Sequence, residues 1–251
     1  EFRRVLFRSL CPHRCAFTPG GSGRCGARAN LDGRLHLLTW GQSSGFVIDP
    51  VEKKPLYHFL PGAPVLSFGG WGCNLACACC QNWQLSRGRA PAAKAPVAPE
   101  EIAYAAVRKG CRAVAVTYNE PLIALEYAVA VAQACHASQV RAVAVTAGFV
   151  AAEARAEFFA AFDAVNVDLK AFSDDFYRRH CGGRLQPVLE TLRHIARATR
   201  TWLEITTLVI PGLNDGDAEI ATLARWIATE LSPEVPLHLS AFHPAHDMRD
   251  R

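Results

Sequence analysis

The sequence predicts an α/β protein, a partial (β/α)6 barrel preceded by a small irregular N-terminal lobe. From Val65 onwards, short apolar runs alternate with longer amphipathic segments, as in a parallel sheet covered by helices. Residues 10–62 instead contain frequent Gly and Pro and only short alternating runs, such as 35–39 and 45–48. We therefore expect a Cys- and Gly-rich lobe over 10–62 and the barrel over 63–251.

The barrel elements are arranged in order along the chain. Pro99 and the two acids after it predict the start of the first helix, because acidic residues in a first turn favour the helix dipole. The six expected strands cover 65–68, 113–117, 140–146, 164–169, 202–209 and 236–241. The four helices expected after that first one cover 121–138, 151–161, 186–199 and 217–231.

The two ends of the chain show a different character. Residues 1–9 have no pattern related to the rest of the chain, and the single methionine is Met248. The last predicted strand lies close to Arg251. We expect residues 1–9 to be a foreign or artefactual leader, and the barrel to be truncated at its C-terminal end.

Composition narrows the classes of function. Half of the residues are hydrophobic, which excludes intrinsic disorder, yet no apolar run reaches the roughly 20 residues of a membrane-spanning helix. The net charge of +4 is small and scattered, so we expect neither nucleic acid nor a membrane as a partner. Ten cysteines, partly in tight clusters, indicate metal binding in a reducing compartment, and we expect a cytoplasmic protein.

A cysteine-rich loop comes directly after the first predicted barrel strand. Cys73, Cys77 and Cys80 have the spacing C-x3-C-x2-C. Three thiolates on one short loop can bind three irons of an iron–sulfur cube and leave the fourth iron open to a small molecule. Zinc is the alternative, but structural zinc needs a fourth ligand and usually two separated pairs. Cys79 offers a fourth thiol, although as the direct neighbour of Cys80 it points differently along the chain.

This loop and several other segments resemble the radical S-adenosylmethionine (SAM) superfamily. The chain more closely resembles the radical SAM member of the AmmeMemoRadiSam system, which is similar to pyruvate formate-lyase activating enzymes. The matching segments are 10–13, 49–56, 72–74, 80–83, 117–121, 168–170 and 240–244. One departure is Cys79, since superfamily loops usually carry an aromatic residue just before the last cysteine.

The resemblance implies a [4Fe-4S] cluster on Cys73, Cys77 and Cys80, with SAM bound to it. The implied contacts to SAM, all near predicted strand ends, are Asn119, Glu120, Thr146, Gly148, Asp168, Lys170 and His243. Glu120 is expected opposite the methionine amino group, because a carboxylate suits an ammonium group. Its alternative role is that of an acid at the start of a helix.

The other implied contacts also have structural alternatives. Asp168 and Lys170 alternate on one strand, so they face the same side and are expected at the methionine or ribose of SAM. Their alternative is a salt bridge at the barrel mouth. Gly148 would allow close backbone approach beside the sugar. His243 is expected at the adenine or the substrate, unless it simply ends its strand.

The remaining cysteines fall into one group and three single residues. Cys11, Cys15 and Cys25 suggest a second metal, zinc or iron–sulfur, in an intact protein. The resemblance implies a further cysteine at position 8, where this chain has Arg8, and three remaining ligands would bind metal weakly. The single residues, which we expect to be ordinary buried cysteines, are Cys111, Cys135 and Cys181.

The resemblance implies an enzyme in which the reduced cluster cleaves SAM to a 5′-deoxyadenosyl radical that abstracts hydrogen from a substrate. That substrate is unidentified; a glycyl residue of a partner protein is one candidate, and a small molecule or peptide is another. A flavodoxin or ferredoxin-like protein is the expected one-electron reductant. The alternative is a non-catalytic zinc or iron–sulfur protein for binding or electron transfer. It explains the cysteines but not Glu120, Asp168 and Lys170 at successive strand ends.

Overall fold

The computed structural model describes residues 6–7, 9–91 and 95–250. Its strands are β1 (Leu6–Phe7), β2 (Ala16–Phe17), β3 (Arg28–Leu31), β4 (Arg34–Leu37), β5 (Phe46–Pro50), β6 (Pro64–Phe68), β7 (Ala113–Val116), β8 (Arg141–Thr146), β9 (Ala164–Asp168), β10 (Trp202–Val209) and β11 (Leu237–Ala241). Its helices are α1 (Trp83–Arg87), α2 (Pro99–Arg108), α3 (Leu125–Ala137), α4 (Ala152–Ala160), α5 (Asp174–Phe176), α6 (Leu185–Ala198) and α7 (Asp217–Glu230). A π-helical turn, Tyr177–Cys181, continues α5.

Strands β5 to β11 form one curled sheet of seven strands, adjacent in chain order. Strands β6 to β11 are parallel, with helices in each connection, and this confirms the predicted partial α/β barrel. The sheet also has a strand that the sequence did not assign to the barrel. The segment Phe46–Pro50, expected within the N-terminal lobe, pairs antiparallel with β6 at the sheet edge.

The two faces of the sheet carry different side chains. On β7, Val114 points outward into the main core beneath the helices. Ala113 and Ala115 point inward, where they pack with Val51 and Leu56. Small inward residues leave space inside the half-barrel, because successive strand residues face opposite sides.

A segment of the N-terminal region, residues 51–60, fills the barrel at the amino-terminal ends of the strands; we call it the floor segment. Its Tyr57 and His58 donate backbone hydrogen bonds of 2.9 and 2.9 Å to the buried carboxylate of Glu204 on β10. The same carboxylate is hydrogen-bonded to His238 on β11 at 2.6 Å. Part of the matching segment 49–56 therefore closes one end of the barrel.

Two small antiparallel sheets, β1 with β2 and β3 with β4, precede the barrel, and β1 falls within the expected leader. Arg28 attaches the lobe to the barrel, since its guanidinium donates to the carbonyl of Ile123 at 3.0 Å and pairs with Glu126. Residues 1–5 and Arg8, which include most of the expected leader and the position of the missing cysteine, lie outside the described residues. Within the described ranges, no helix combines the length and apolar character needed to cross a bilayer.

Candidate functional site

The carboxyl ends of the barrel strands open into a cavity of about 410 Å³. This is the end at which active sites occur in barrels of this kind. The three predicted cluster ligands all line the cavity, and so do five of the seven predicted SAM contacts. Those five are Asn119, Glu120, Thr146, Asp168 and Lys170. The fold thus brings together residues that are far apart in the sequence.

The loop that carries the cysteines has a defined backbone path. Gly72, directly before Cys73, has a φ of 88°, and a Cβ there would lie 2.0 Å from the carbonyl oxygen of Cys25. Only glycine fits this position without displacing the N-terminal lobe. Further along, Arg87 donates to the carbonyl of Leu75 at 2.7 Å. The loop is therefore held from both sides.

The arrangement of donors can be compared with the metals expected from the sequence. Within residues 6–7, 9–91 and 95–250, no three His, Cys, Asp or Glu side chains form a group that could hold a metal ion. A cluster has no such requirement, because each thiolate binds a different iron. Cys73, Cys77 and Cys80 line the same cavity, and three thiolates on one loop are the ligand set of an iron–sulfur cube. The second metal expected at Cys11, Cys15 and Cys25 finds no support in this arrangement and stays a prediction.

Glu120 is buried, and its carboxylate accepts three hydrogen bonds. Oε1 accepts from the hydroxyl of Thr146 at 2.7 Å and from the backbone of Leu122 at 3.1 Å. Oε2 accepts from the backbone of Ala147 at 2.8 Å. Burial raises the pKa of Glu120, and these hydrogen bonds oppose the rise. A carboxylate has about four acceptor positions, so one remains for a ligand such as an ammonium group.

The hydrogen bond from Leu122 shows that Glu120 also has its alternative role, that of an acid at the start of a helix. Pro121 begins a 3-10 turn, Pro121–Ala124. Because proline has no N–H, the first N–H of the turn is that of Leu122, and the side chain of Glu120 caps it. The predicted helix over 121–138 accordingly starts as this turn and becomes α-helical at Leu125. Glu120 thus starts the helical segment and also lines the cavity.

Asn119 connects the end of β7 to the cysteine loop. Its Oδ1 accepts from the backbone of Gly70 at 2.9 Å, and its Nδ2 donates to the carbonyl of Gly72 at 2.8 Å. The oxygen and the nitrogen of this one amide therefore both hold the start of the cysteine loop, although the side chain also lines the cavity. Its contact with a ligand stays a prediction.

Asp168 and Lys170 form an ion pair, with 3.0 Å between Nζ and Oδ2. This ion pair is the alternative that the sequence left open; both side chains also line the cavity, and their contact with SAM stays a prediction. Burial opposes the charge of Lys170, but Asp168 and the negative charge that Cys77 carries as a thiolate raise its pKa well above its usual value. A permanent cation therefore lies beside the cysteine loop, where it reduces the cost of negative charge on sulfur.

Two predicted contacts do not line the cavity. Gly148 has a φ of 65°, and a Cβ there would lie 2.9 Å from Cγ1 of Val167, so glycine is needed for packing. Its backbone N–H donates to the hydroxyl of Thr146 at 3.1 Å. His243 is exposed in the segment after β11. Neither position supports a direct contact in this arrangement.

The cavity is also lined by residues to which the sequence assigned no individual role. Its wall away from the cysteine loop includes Lys53, Pro55, Thr206, Leu208 and Ser240. One signal was available, because Thr206 is a polar residue within an apolar strand. Lys53, Pro55 and Ser240 lie in the matching segments 49–56 and 240–244, so the resemblance singled out these stretches but not their place in the cavity.

Comparison with known proteins agrees with this site. Residues 70–224, more than half of the chain, match the radical SAM superfamily. The uncharacterized protein MJ0808 of Methanocaldococcus jannaschii is 35% identical over 244 residues, covering 96% of this chain and 72% of that protein.

Two solved structures share the fold. SuiB of Streptococcus suis bound to precursor peptide SuiA has a TM-score of 0.55 at 13% identity, covering 68% of this chain and 37% of that one. A radical SAM methyltransferase from Sphaerobacter thermophilus has a TM-score of 0.50 at 18% identity, covering 73% of this chain and 57% of that one.

The fold, the cysteine loop and the family match define one class of protein. The chain belongs to the radical SAM superfamily, and it is therefore an enzyme of that class. The family implies a [4Fe-4S] cluster and SAM. The closer resemblance to the AmmeMemoRadiSam system stays a prediction, as does the substrate.

Proposed function

We propose that Cys73, Cys77 and Cys80 hold a [4Fe-4S] cluster, and that the enzyme abstracts a hydrogen atom from a substrate that is still to be identified. When bound, the cluster and SAM supply one-electron cleavage to methionine and a 5′-deoxyadenosyl radical, which removes the hydrogen. One observation carries the proposal: the three cysteines share a single cavity with Glu120 and the Asp168–Lys170 pair.

The protein's own groups then have separate tasks. The free acceptor position of Glu120 receives the amino group of the methionine moiety. Thr146, Ala147 and Leu122 orient the carboxylate through their hydrogen bonds. Because the carboxylate is buried, its attraction for an ammonium group is stronger than in water.

The ion pair binds a different part of SAM. Lys170 donates to the methionine carboxylate, since it is a cation at the cavity surface. Asp168 holds Nζ of Lys170 in place and offers its second oxygen to a ribose hydroxyl. These assignments extend the family resemblance to the residues of this chain.

The substrate side of the cavity faces the floor segment and strands β10 and β11. The floor segment closes the barrel behind it, and Asn166 fixes that segment by donating to the carbonyl of Pro55 at 2.9 Å. A closed end limits access of water to a radical intermediate. A glycyl residue of a partner protein as substrate, and a flavodoxin or ferredoxin-like reductant, rest on the resemblance.

The test is SAM cleavage by anaerobically reconstituted protein. With dithionite and SAM, the protein should form 5′-deoxyadenosine and methionine, whereas Cys77→Ala should form none. Cys111→Ala is the matched control, because that cysteine does not line the cavity and should leave the yield unchanged. Equal yields from the Cys77→Ala variant and the unmodified protein would remove the proposal in favour of the non-catalytic alternative.

A further inference from the structure

The cavity wall away from the cysteine loop carries polar side chains from three separate elements. Lys53 belongs to the floor segment, Thr206 to β10 and Ser240 to β11, and all three line the cavity. Thr206 lies beside His238 in the register of the two strands, and Ser240 follows His238 by two residues. Alternate residues of a strand face the same side, so Thr206 and Ser240 both face the interior of the barrel. We call Lys53, Thr206 and Ser240 the donor wall.

Asn166 connects the floor segment to Thr206. Its Nδ2 donates to the carbonyl of Pro55 at 2.9 Å and to the hydroxyl of Thr206 at 2.8 Å. Because a carbonyl can only accept, the contact with Pro55 fixes which end of the amide is the nitrogen. Lys53 lies two residues before Pro55, so this bridge holds its segment against the strand that carries Thr206.

The hydroxyl of Thr206 has a proton without an acceptor in the part of the chain that the structure describes. Its oxygen accepts from Nδ2 of Asn166, and Oδ1 of Asn166 has no described hydrogen-bond partner, so Oδ1 does not accept this proton. Thr206 is 7% exposed and lines the cavity. A buried donor without a partner costs free energy, which a ligand with an acceptor atom would recover. Thr206 therefore offers one hydrogen bond to a molecule in the cavity.

The charges that line the cavity leave one cation over. Four of the described lining residues are charged, and two of them, Asp168 and Lys170, form an ion pair. Glu120 accepts three hydrogen bonds and is the proposed partner of the SAM amino group. The fourth, Lys53, is exposed and has no ion pair with any residue that the structure describes. The donor wall therefore combines a cation with two hydroxyl groups, and it attracts an anion.

We propose that the donor wall binds a carboxylate of the substrate, and that the substrate of this enzyme is therefore a carboxylic acid. A carboxylate has about four acceptor positions, enough for the ammonium group of Lys53 and the hydroxyls of Thr206 and Ser240. Such charge-assisted hydrogen bonds are roughly twice as strong as those between neutral groups. One cation also matches the single charge of a carboxylate better than the nearly double charge of a phosphate group. The inference rests on the proposed function, because it takes this cavity to be the place of hydrogen abstraction.

The test is a binding titration of the full, reconstituted chain in the presence and absence of SAM, followed by saturation-transfer NMR. The probes are N-acetylglycine, which carries a carboxylate, and N-acetylglycinamide, which has nearly the same shape without the charge. N-acetylglycine should bind about tenfold more tightly, because only its charged group forms charge-assisted hydrogen bonds with the wall. Inorganic phosphate is the third probe and should bind more weakly than N-acetylglycine.

Variants of the donor wall assign the binding to its residues. Lys53→Met should weaken binding of N-acetylglycine about five- to tenfold and leave that of the amide unchanged, whereas Lys53→Arg keeps a cation and should stay within about twofold. Thr206→Val should weaken it about fivefold, and Thr206→Ser should restore it. Lys109→Met, at an exposed lysine that does not line the cavity, is the matched control and should have no effect.

Four results would overturn the inference. The first is equal binding of N-acetylglycine and N-acetylglycinamide. The second is an equal effect of Lys53→Met and Lys109→Met. The third is competition between SAM and N-acetylglycine, which would assign Lys53 to the carboxylate of SAM. The fourth is tighter binding of phosphate, which would make the wall a phosphate site.

Failure of the proposed function is a separate outcome, because the donor wall contains no residue of the cysteine loop. It would appear as the absence of 5′-deoxyadenosine from the reconstituted protein, while N-acetylglycine still binds and Lys53→Met still weakens that binding.

Discussion

The hydroxyl of Thr146 donates a buried hydrogen bond of 2.7 Å to the carboxylate of Glu120. The bond joins the end of β8 to the loop after β7. From the sequence, the two residues were separate contacts to SAM. In the structure they form one unit, in which Thr146 orients the carboxylate that would face an ammonium group.

This unit predicts coupled effects on SAM binding. Glu120→Gln should weaken binding about 10- to 100-fold, because it removes a charge-assisted hydrogen bond. Thr146→Val should weaken it roughly fivefold by releasing the carboxylate. The double variant should resemble Glu120→Gln alone, since no charge remains to orient. Equilibrium dialysis of reconstituted protein measures all three, with the exposed Thr229→Val as control. Strictly additive losses would contradict the coupling.

The raised pKa of Glu120 predicts a pH-dependent stability of the cluster-free protein. Burial is the cause, so the folded protein keeps this proton to a higher pH than the unfolded chain, where the pKa is near 4.5. The free energy of unfolding should therefore contain a part that falls as the pH rises from 4.5 through the raised value. Urea unfolding of the unmodified protein and Glu120→Gln across this range isolates that part. A difference between them that does not vary with pH would contradict it.

The bridge formed by Asn119 predicts how firmly the cluster is retained. Asn119→Ala leaves the N–H of Gly70 and the carbonyl of Gly72 without this side chain. The start of the cysteine loop should then open more often, and iron should be lost to a chelator roughly fivefold faster, equivalent to about 1 kcal/mol. The rate is followed by loss of cluster absorbance. Gln186→Ala, an exposed amide on α6, should show the rate of the unmodified protein.

The buried carboxylate of Glu204 predicts a large effect on stability. It accepts from the backbones of Tyr57 and His58 at 2.9 and 2.9 Å, from Trp202 Nε1 at 2.9 Å, and is bonded to His238. Glu204→Ala should lower the free energy of unfolding by about 3–5 kcal/mol, because buried donors lose a charged partner.

Urea unfolding of the cluster-free protein measures this effect. The exposed Glu234→Ala should change the value by less than about 0.5 kcal/mol. If Glu204→Ala unfolds like that control, the floor segment is not held through this carboxylate.

The sequence alone predicted the parallel part of the fold. The strand over 202–209 has the predicted bounds, and the other five lie within two residues of theirs. Strand β5 coincides with the short alternating run 45–48, which the sequence assigned to the N-terminal lobe. Its pairing with β6 was missed, because Phe46, Val47 and Ile48 are exposed, and a local pattern does not say which strand such a run pairs with.

The cysteine loop was also predicted from the sequence, because the spacing of Cys73, Cys77 and Cys80 is a property of one short segment. The other contacts were not of this kind. Only the tertiary structure placed Cys181 against the cysteine loop, brought the floor segment to Glu204, and left Gly148 and His243 out of the cavity lining. Such contacts depend on which strands are neighbours and on how closely their loops approach. Neither strand order nor the approach of loops can be predicted from local spacing and periodicity.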